Sequence, residues 1–267
     1  MKKTLLGLTA ITLLFAACKK DDASPETYYL SKMIEIGEDS NDTTFISYNA
    51  DNTFKELSYA YTSNGEQVSY SEGPVYEGGK IVSLQEKRNG TSTTTKSFIY
   101  TGSLVTRVVY HGDINGDGID DNRYDSLVYA AGKLSELYSL DGANRDYVYK
   151  YVLTWEGNNV KTRSTFYKQT GTDYVADGIS KYTYDNKPSF QKILGSYQWL
   201  NDLSSVENLS ANNITKEEVF RNDVLSATYS NVYTYEGNLL KMVDSENTYP
   251  NPDYNETYKV KLEYIKR

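Results

Sequence analysis

Apolar and polar residues alternate with a period of two along much of the chain. Every second residue of segment 147–155 is tyrosine, leucine or tryptophan, and charged residues separate Tyr258, Val260, Leu262 and Tyr264. This is the period of a β-strand with one buried and one solvated face. No comparable helical period extends over most of the sequence. The pattern therefore predicts an all-β protein.

One motif recurs along the chain: an aromatic residue, a short turn with glycine, and an aliphatic residue. Its clearest copies begin at Tyr76, Tyr100, Tyr129, Trp155 and Tyr235, and weaker copies begin at Tyr48, Tyr184, Ser210 and Tyr264. Successive copies start 24 to 29 residues apart. Because glycine and asparagine accept the positive φ of tight hairpin turns, each copy predicts one β-hairpin.

These hairpins predict an antiparallel meander that forms a curled or partly closed sheet, in a single domain over residues 26–267. We prefer this arrangement to a four-bladed propeller built from paired hairpins; a transmembrane barrel is a third possibility. Pro188 has no amide hydrogen and cannot continue a central strand. The following stretch, 189–205, predicts a short helix that plugs one end of the sheet.

The repeated aromatic, glycine and aliphatic residues resemble the tyrosine-aspartate (RHS-type) repeat family, whose hairpins coil into a curled sheet. An acid follows the aromatic residue at Glu77, Glu156, Asp185 and Glu236. Segments 182–188 and 212–216 are more similar to Bacteroidetes lipoproteins of unknown function. This resemblance implies an envelope protein and carries no known activity.

The N-terminus has the organisation of a lipoprotein signal. Lys2 and Lys3 precede an apolar segment, 5–15, that is too short to span a bilayer, and two alanines precede Cys18, the only cysteine. The resemblance to a lipobox implies cleavage before Cys18 and acylation of its thiol and amine. Residues 1–17 are then a signal peptide, and 18–25 are a lipidated cysteine and tether.

The tether begins with Lys19, Lys20, Asp21 and Asp22. A solvated linker explains these charges, and so does a resemblance to the export signal of Bacteroidetes surface lipoproteins. We therefore expect an outer-membrane, lipid-anchored protein at the cell surface, with the periplasmic face as the alternative. The membrane is its first partner.

Charge and composition exclude several function classes. The net charge of −8 disfavours nucleic acid as a partner, because binding to phosphate backbones needs a basic surface. One cysteine and one histidine, His111, leave no ligands for a cysteine or multi-histidine metal site. The sequence also lacks a phosphate-binding loop and a glycine-flanked nucleophilic serine.

An acidic loop over residues 113–121 has calcium-site chemistry, in the pattern D-x-N-x-D-G-x-x-D. Its expected ligands are Asp113, Asn115, Asp117, the Ile119 carbonyl and Asp121. The loop resembles EF-hand-like and thrombospondin-type calcium loops, but Tyr124 stands where a bidentate glutamate belongs. We expect a structural Ca²⁺ ion of modest affinity. An acidic turn that binds nothing is the alternative.

The 27 tyrosines have two interpretations. Strand aromatics are usually core residues, but some could form an exposed platform for sugar rings, with Trp155 and Trp199 as candidates. We therefore predict a non-catalytic binding or scaffolding lipoprotein with a glycan or an envelope protein as partner. The alternative is a carbohydrate-active hydrolase with paired carboxylates on the concave face of the sheet.

Overall fold

The protein is a closed barrel of sixteen antiparallel strands, each paired with its neighbours in sequence. The computed structural model describes residues 27–37, 41–63, 66–112, 123–140, 147–168 and 172–267. Residues 1–25, predicted to be the signal peptide and tether, lie outside these ranges.

The strands are β1 (Tyr28–Ile36), β2 (Asn41–Tyr48), β3 (Phe54–Ser63), β4 (Glu66–Glu77), β5 (Lys80–Arg88), β6 (Thr91–Thr101), β7 (Leu104–Tyr110), β8 (Tyr124–Ala130), β9 (Lys133–Leu140), β10 (Tyr147–Glu156), β11 (Asn159–Tyr167), β12 (Val175–Pro188), β13 (Asn212–Arg221), β14 (Val224–Glu236), β15 (Leu239–Thr248) and β16 (Glu256–Lys266). The helical segments are two 3₁₀ turns (Phe190–Leu194 and Pro252–Tyr254), α1 (Ser196–Asn201) and α2 (Val206–Leu209).

Closure of the sheet is the main departure from the sequence-based expectation. The all-β prediction is confirmed, but a curled or partly closed sheet is wrong, because β1 pairs with β16 from Tyr28 to Ile36. This pairing satisfies two edges that an open sheet would expose. The seam is itself a copy of the repeat, since its aromatic residue, Tyr264, pairs with Leu30 at the other end of the chain.

A β-bulge at a fixed place in every repeat gives the sheet its curvature. In the β4–β5 hairpin Tyr76 pairs with Ile81 and Val75 with Ser83, which leaves Val82 as an extra residue. The same shift follows all eight aromatic–apolar pairs: Tyr48–Phe54, Tyr76–Ile81, Tyr100–Val105, Tyr129–Leu134, Trp155–Val160, Tyr184–Ile214, Tyr235–Leu240 and Tyr264–Leu30. Bulges increase twist and bend a strand, so eight at one level favour closure.

One hairpin carries an insertion where the others have a tight turn. Tyr184 pairs with Ile214, so the predicted copies at Tyr184 and Ser210 are two halves of a single hairpin. The insertion contains three short helical segments over residues 190–209, which we call the plug. The predicted short helix near 189–205 falls within this region. Tyr197 and Leu200 of the plug are almost fully buried.

The buried aliphatic residues of the wall point into the barrel, and ion pairs lie on its outer face. On β16, for example, Leu262 is 2% exposed and belongs to the core, whereas its neighbours Lys261 and Glu263 form an ion pair on the outer face. Wall aliphatics and plug residues together form one core cluster. A barrel of sixteen strands is wide enough to enclose a channel, and here plug residues and inward wall side chains pack together inside it.

The two ends of the barrel differ. The tight turns that follow the repeat aromatics, the plug, Thr27 and Arg267 lie at one end, which we call the turn end, and the Arg267 amide donates to the Thr27 carbonyl at 3.2 Å. Two other tight turns, β5–β6 and β13–β14, lie at the other end. The opposite, loop end holds the β7–β8 and β15–β16 connections. In the described ranges, no helix has both the length and the apolar character needed to cross a bilayer.

Candidate functional site

Six aromatic side chains form a hydrogen-bonded row at the turn end, which we call the aromatic collar. Each donates to the backbone carbonyl of the apolar residue in the preceding aromatic–apolar pair. The bonds are Tyr48 to Leu30 (2.8 Å), Tyr76 to Phe54 (3.0 Å), Tyr100 to Ile81 (2.8 Å), Tyr129 to Val105 (2.8 Å), Trp155 to Leu134 (2.8 Å) and Tyr184 to Val160 (2.5 Å). Each acceptor carbonyl belongs to the residue directly before a bulge. The collar therefore supplies hydrogen-bond donors to backbone carbonyls at the register shifts.

The collar explains why this position is tyrosine or tryptophan in all six pairs. A phenylalanine would fill the same space but has no donor for the carbonyl. Burial raises the pKa of Tyr48, Tyr129 and Tyr184 to about 12, because the ionised phenolate is disfavoured away from water.

The structure places Trp155 within the collar. Its indole N–H is committed to Leu134, and the ammonium group of Lys133 lies 5.2 Å from the ring centroid. Lys80 covers Tyr100 in the same way at 4.9 Å. These cations occupy ring faces through cation–π contacts. Trp155 therefore has a structural role that accounts for its position.

Trp199, the second candidate for sugar stacking, lies on α1 of the plug. It is partly buried and packs against the core cluster. Its indole nitrogen is buried without a hydrogen-bond partner in the part of the chain that the structure describes. The two tryptophans are thus on different elements, one in the wall and one in the plug.

Charged side chains on the inner face of the wall hold the plug. The Tyr197 hydroxyl donates to Glu72 at 2.6 Å, and the Asn201 amide donates to the same carboxylate oxygen at 3.2 Å. On the other side of the barrel Arg163 donates to the Ser204 carbonyl at 3.0 Å. Lys96 also donates to the Asn201 carbonyl. The plug is therefore fixed to β4, β6 and β11 by charge-assisted hydrogen bonds.

Three inward carboxylates each accept a hydrogen bond from a tyrosine. Besides the Tyr197–Glu72 bond, Tyr110 donates to Asp125 at 2.7 Å and Tyr182 to Glu217 at 3.1 Å. Burial raises the pKa of Asp125, and burial also lowers the pKa of Lys96. These groups pair with wall or plug side chains in the filled interior, which is the chemistry of a polar network that supports packing.

An aromatic cleft opens at the turn end between the plug and the last hairpin. It has a volume of about 520 Å³, and its apolar walls include Tyr28, Phe190, Tyr235 and Tyr264. Lys187 is the one charged residue among the twelve described residues that line it. We call this feature the plug cleft. Its size is in the range typical of small-molecule sites, about 300–1,000 Å³.

The plug cleft lies where the collar pattern changes. The Ile214 carbonyl accepts its hydrogen bond from Tyr233, two residues before the repeat position, at 2.8 Å. The repeat residue Tyr235 instead accepts from the Asn213 side chain at 2.8 Å. A second cleft, of about 410 Å³, is lined by Tyr48, Tyr76 and Tyr100, whose hydroxyls already donate within the collar.

Asn213 fixes two walls of the plug cleft. This residue is 2% exposed, and its amide nitrogen donates to Tyr235 and, at 3.0 Å, to Asp185. Its amide oxygen accepts from the backbone N–H of Phe190 at 2.9 Å. One buried side chain thereby positions Phe190 and Tyr235 before any ligand arrives.

Two predicted sites fall outside the described residues: Cys18 and the acidic loop with Asp113, Asn115, Asp117, Ile119 and Asp121. Within the described ranges, no group of three or more histidine, cysteine, aspartate or glutamate side chains is placed to hold a metal ion.

Comparison with known proteins identifies similar barrels. A porin-like protein from Bacteroides uniformis matches with a TM-score of 0.55 at 11% sequence identity, over 89% of this chain and 96% of that one. The chain shares this barrel fold. No protein-family model matches it, and no curated protein does.

Two further solved structures align less closely. A porin-like protein from Bacteroides vulgatus has a TM-score of 0.43 at 11% identity, over 90% of this chain and 99% of that one. TcdB2-TccC3 has a TM-score of 0.35 at 12% identity and covers 82% of this chain but 10% of its own length.

The sequence identifies two residues of the plug cleft but not the cleft itself. Tyr235 and Tyr264 are repeat residues, but their periodic positions give no indication that they line a cleft. Tyr28 and Phe190 carry no motif, and Asn213 belongs to segment 212–216, whose resemblance gives no indication of a cleft. Their juxtaposition depends on closure of the barrel and on the insertion after Tyr184, which bring together residues far apart in sequence.

Proposed function

We propose that this chain is a lipid-anchored, non-catalytic binding protein of the bacterial outer envelope, with its barrel in water beside the membrane. The observation that carries the proposal is the orientation of the wall. Wall aliphatics such as Leu137, Val243 and Leu262 face a core that they share with the plug, whereas the ion pairs of Lys259, Lys150 and Lys261 lie on the outer face. This orientation is the reverse of a membrane-spanning barrel, and the charged side chains that do point inward are those that hold the plug or pair inside the barrel. The similarity to porin-like barrels agrees with an envelope protein.

Ion pairs on the outer face argue for a wall in water. Lys259 and Asp244 lie 2.8 Å apart on adjacent strands, Lys150 and Glu136 3.4 Å apart, and Lys32 and Glu263 3.8 Å apart. A lysine at the midplane of a lipid-facing wall costs about 2–4 kcal/mol. Outward charges on several sides of the barrel therefore favour an anchor over a membrane span.

Position of the termini supports attachment through Cys18. Thr27 is nine positions after Cys18, and a fully extended chain of that length reaches roughly 30 Å. Since Thr27 lies at the turn end, we propose that this end faces the membrane. The loop end, at the far end of β7 and β8, then points away from it.

The anchor is tested with Cys18→Ser expressed in the native host. We expect wild-type protein in the outer-membrane fraction with an acylated N-terminal cysteine by mass spectrometry, and the variant in the soluble fraction. Protease treatment of intact cells then separates the cell surface from the periplasmic face. An unmodified wild-type Cys18, or a Cys18→Ser variant that stays fully membrane-bound, would contradict the anchor.

A separate experiment tests whether the barrel forms an open channel. We expect no channel conductance when purified protein is added to planar lipid bilayers, because the plug and core side chains fill the interior. A general porin in the same bilayer is the positive control. Stepwise conductance from this protein would contradict the proposed water-facing barrel.

For the acidic loop we propose a structural Ca²⁺ ion. Calorimetric titration of the wild type should give saturable calcium binding that is lost in Asp113→Ala and Asp117→Ala. Asp253→Ala, which changes an exposed acid in the β15–β16 connection, is the matched control. No binding heat for the wild type, or equal binding by all variants, would show an acidic turn only.

A further inference from the structure

We propose that the plug cleft binds a neutral saccharide. This inference rests on the proposed function, in which the protein is a binding protein, and it names the ligand class. The saccharide can be a free oligosaccharide or the sugar headgroup of a glycolipid in the nearby membrane. The chemistry at the cleft is the same in both cases.

Aromatic walls supply the first requirement for sugar recognition. Tyr28, Tyr235, Tyr264 and Phe190 come from β1, β14, β16 and the plug, so the rings approach one space from separate elements. Sugar rings present patches of C–H groups that pack on aromatic faces, as other apolar groups do. Tyr28 is 44% exposed at the start of β1 and is accessible to a ligand from solvent.

Polar groups of the right type supply the second requirement. Asn186 and Asn238 line the cleft with exposed side chains that can both donate and accept hydrogen bonds. Ser189 also lines it, but its hydroxyl already donates to the Glu207 carbonyl at 3.1 Å. Sugar hydroxyls also donate and accept, so amides and hydroxyls match them better than ions do. The amide of Asn186 comes from the end of β12 and that of Asn238 from the β14–β15 turn, so two separate elements supply hydrogen-bonding groups to the cleft.

Charge distribution favours a neutral ligand. The ammonium group of Lys187, the one charged residue among the described lining residues, lies 5.7 Å from the centroid of the Tyr235 ring. The backbone N–H of Lys187 donates to Asp185 at 2.9 Å, which fixes this segment. Since the cation faces a ring and the Asp185 carboxylate lies two residues before it, the cleft does not concentrate positive charge for an anionic ligand.

Preorganisation distinguishes the plug cleft from a surface depression. Asn213 holds the Phe190 backbone and the Tyr235 hydroxyl through partly buried hydrogen bonds, so these two walls are positioned before a ligand binds. Preformed walls reduce the entropic cost of binding. Asn213 is thus a positioning residue for the cleft and does not line it.

The test uses the mature chain with Cys18→Ser on an array of neutral and acidic oligosaccharides, followed by calorimetry with the best ligand. A second arm measures binding to vesicles that contain a neutral glycosyl diacylglycerol, against phospholipid vesicles alone. We expect saturable binding to a neutral sugar in at least one arm. Tyr28→Ser and Asn238→Ala should weaken it at least tenfold.

Tyr254→Ser is the matched control, because Tyr254 is an exposed tyrosine at the loop end, 66% accessible. Its affinity should equal that of the wild type. The saccharide proposal fails if neither arm shows binding, if acidic glycans alone bind, if peptides bind in place of sugars, or if the control loses as much affinity as the cleft variants. None of these results affects the Cys18 and conductance tests, so failure of the ligand and failure of the anchored barrel remain distinct.

Discussion

At the scale of single residues, the abundance of tyrosine follows from backbone geometry. A bulge in every repeat leaves a carbonyl at the register shift, and a side chain that is both large and a hydrogen-bond donor can fill the adjacent space and bond that carbonyl. Tyr76 does this for Phe54, and Trp155 does it for Leu134. The collar thus combines core packing with hydrogen-bond satisfaction.

Tyr129→Phe removes one collar hydrogen bond with little change in volume. The acceptor, the Val105 carbonyl, belongs to a residue that is 2% exposed and would lose its side-chain donor. We expect a loss of about 1–3 kcal/mol in the free energy of unfolding, measured by urea denaturation. Tyr254→Phe, at the exposed control site, should change stability by less than about 0.5 kcal/mol. Equal effects of the two substitutions would refute the collar as a source of stability.

Alkaline pH should unfold the barrel through the same residues. Burial raises the pKa of Tyr48, Tyr129 and Tyr184 to about 12, whereas an unfolded tyrosine ionises near about 10. Their contribution to stability is therefore complete below about pH 10 and is lost as pH rises to about 12. Tyrosinate absorbance and circular dichroism should change together in this interval. Ionisation of all tyrosines with intact circular dichroism would contradict the prediction.

At the scale of elements, period-two alternation predicts the strands. The plug insertion, however, has about the length of one repeat, so it is mistaken for an additional copy. Tyr184 and Ser210 are 26 residues apart, within the 24 to 29 residues that separate other copies. The insertion of the plug therefore resembles an additional hairpin in the sequence. Only the pairing of Tyr184 with Ile214 shows that one hairpin has been interrupted.

The sequence predicts the helical plug in part, but it does not predict which residues anchor the plug. Pro188 and the apolar residues after it indicate a break in the strand pattern and a short helix. The plug is held by Glu72, Lys96 and Arg163, which lie on strands distant from it in sequence. The alternation of apolar and polar residues does not show which groups these inward charges bind. The plug cleft could not be predicted either, because its walls also come from residues that are distant in sequence.

Leu200→Ala tests the plug as part of the core. Leu200 on α1 is 1% exposed, and truncation of a buried leucine costs about 2–5 kcal/mol through lost burial and the cavity left behind. We expect a destabilisation of this size by thermal or urea unfolding. Val232→Ala on the outer face of β14, where the side chain is 64% exposed, should have an effect under about 0.5 kcal/mol. A neutral Leu200→Ala would indicate a plug that packs loosely.

At the scale of the whole molecule, the barrel consists of eight equivalent units, one of which is divided between the chain ends. A repeat of hairpins is compatible with both an open and a closed sheet, so periodicity does not determine closure. The missing information is a pairing across almost the full chain, between Tyr264 and Leu30. The seam also lacks the tight turn that joins the aromatic and apolar residues in six of the other units.

If the seam is an ordinary unit, the chain can be opened elsewhere. A circular permutant would join Arg267 to Tyr28 through a short glycine-asparagine turn and place new termini at the Gly78–Gly79 turn, where both residues have positive φ and open space around them. We expect the same circular dichroism, elution volume and cooperative unfolding as the unpermuted chain, because the same strand pairs form. A matched permutant opened between Val108 and Val109, inside β7, should fail to fold, since it divides a central strand beside a fully buried valine. If the first permutant also failed, the β1–β16 seam would have a role in folding that the other seven units lack.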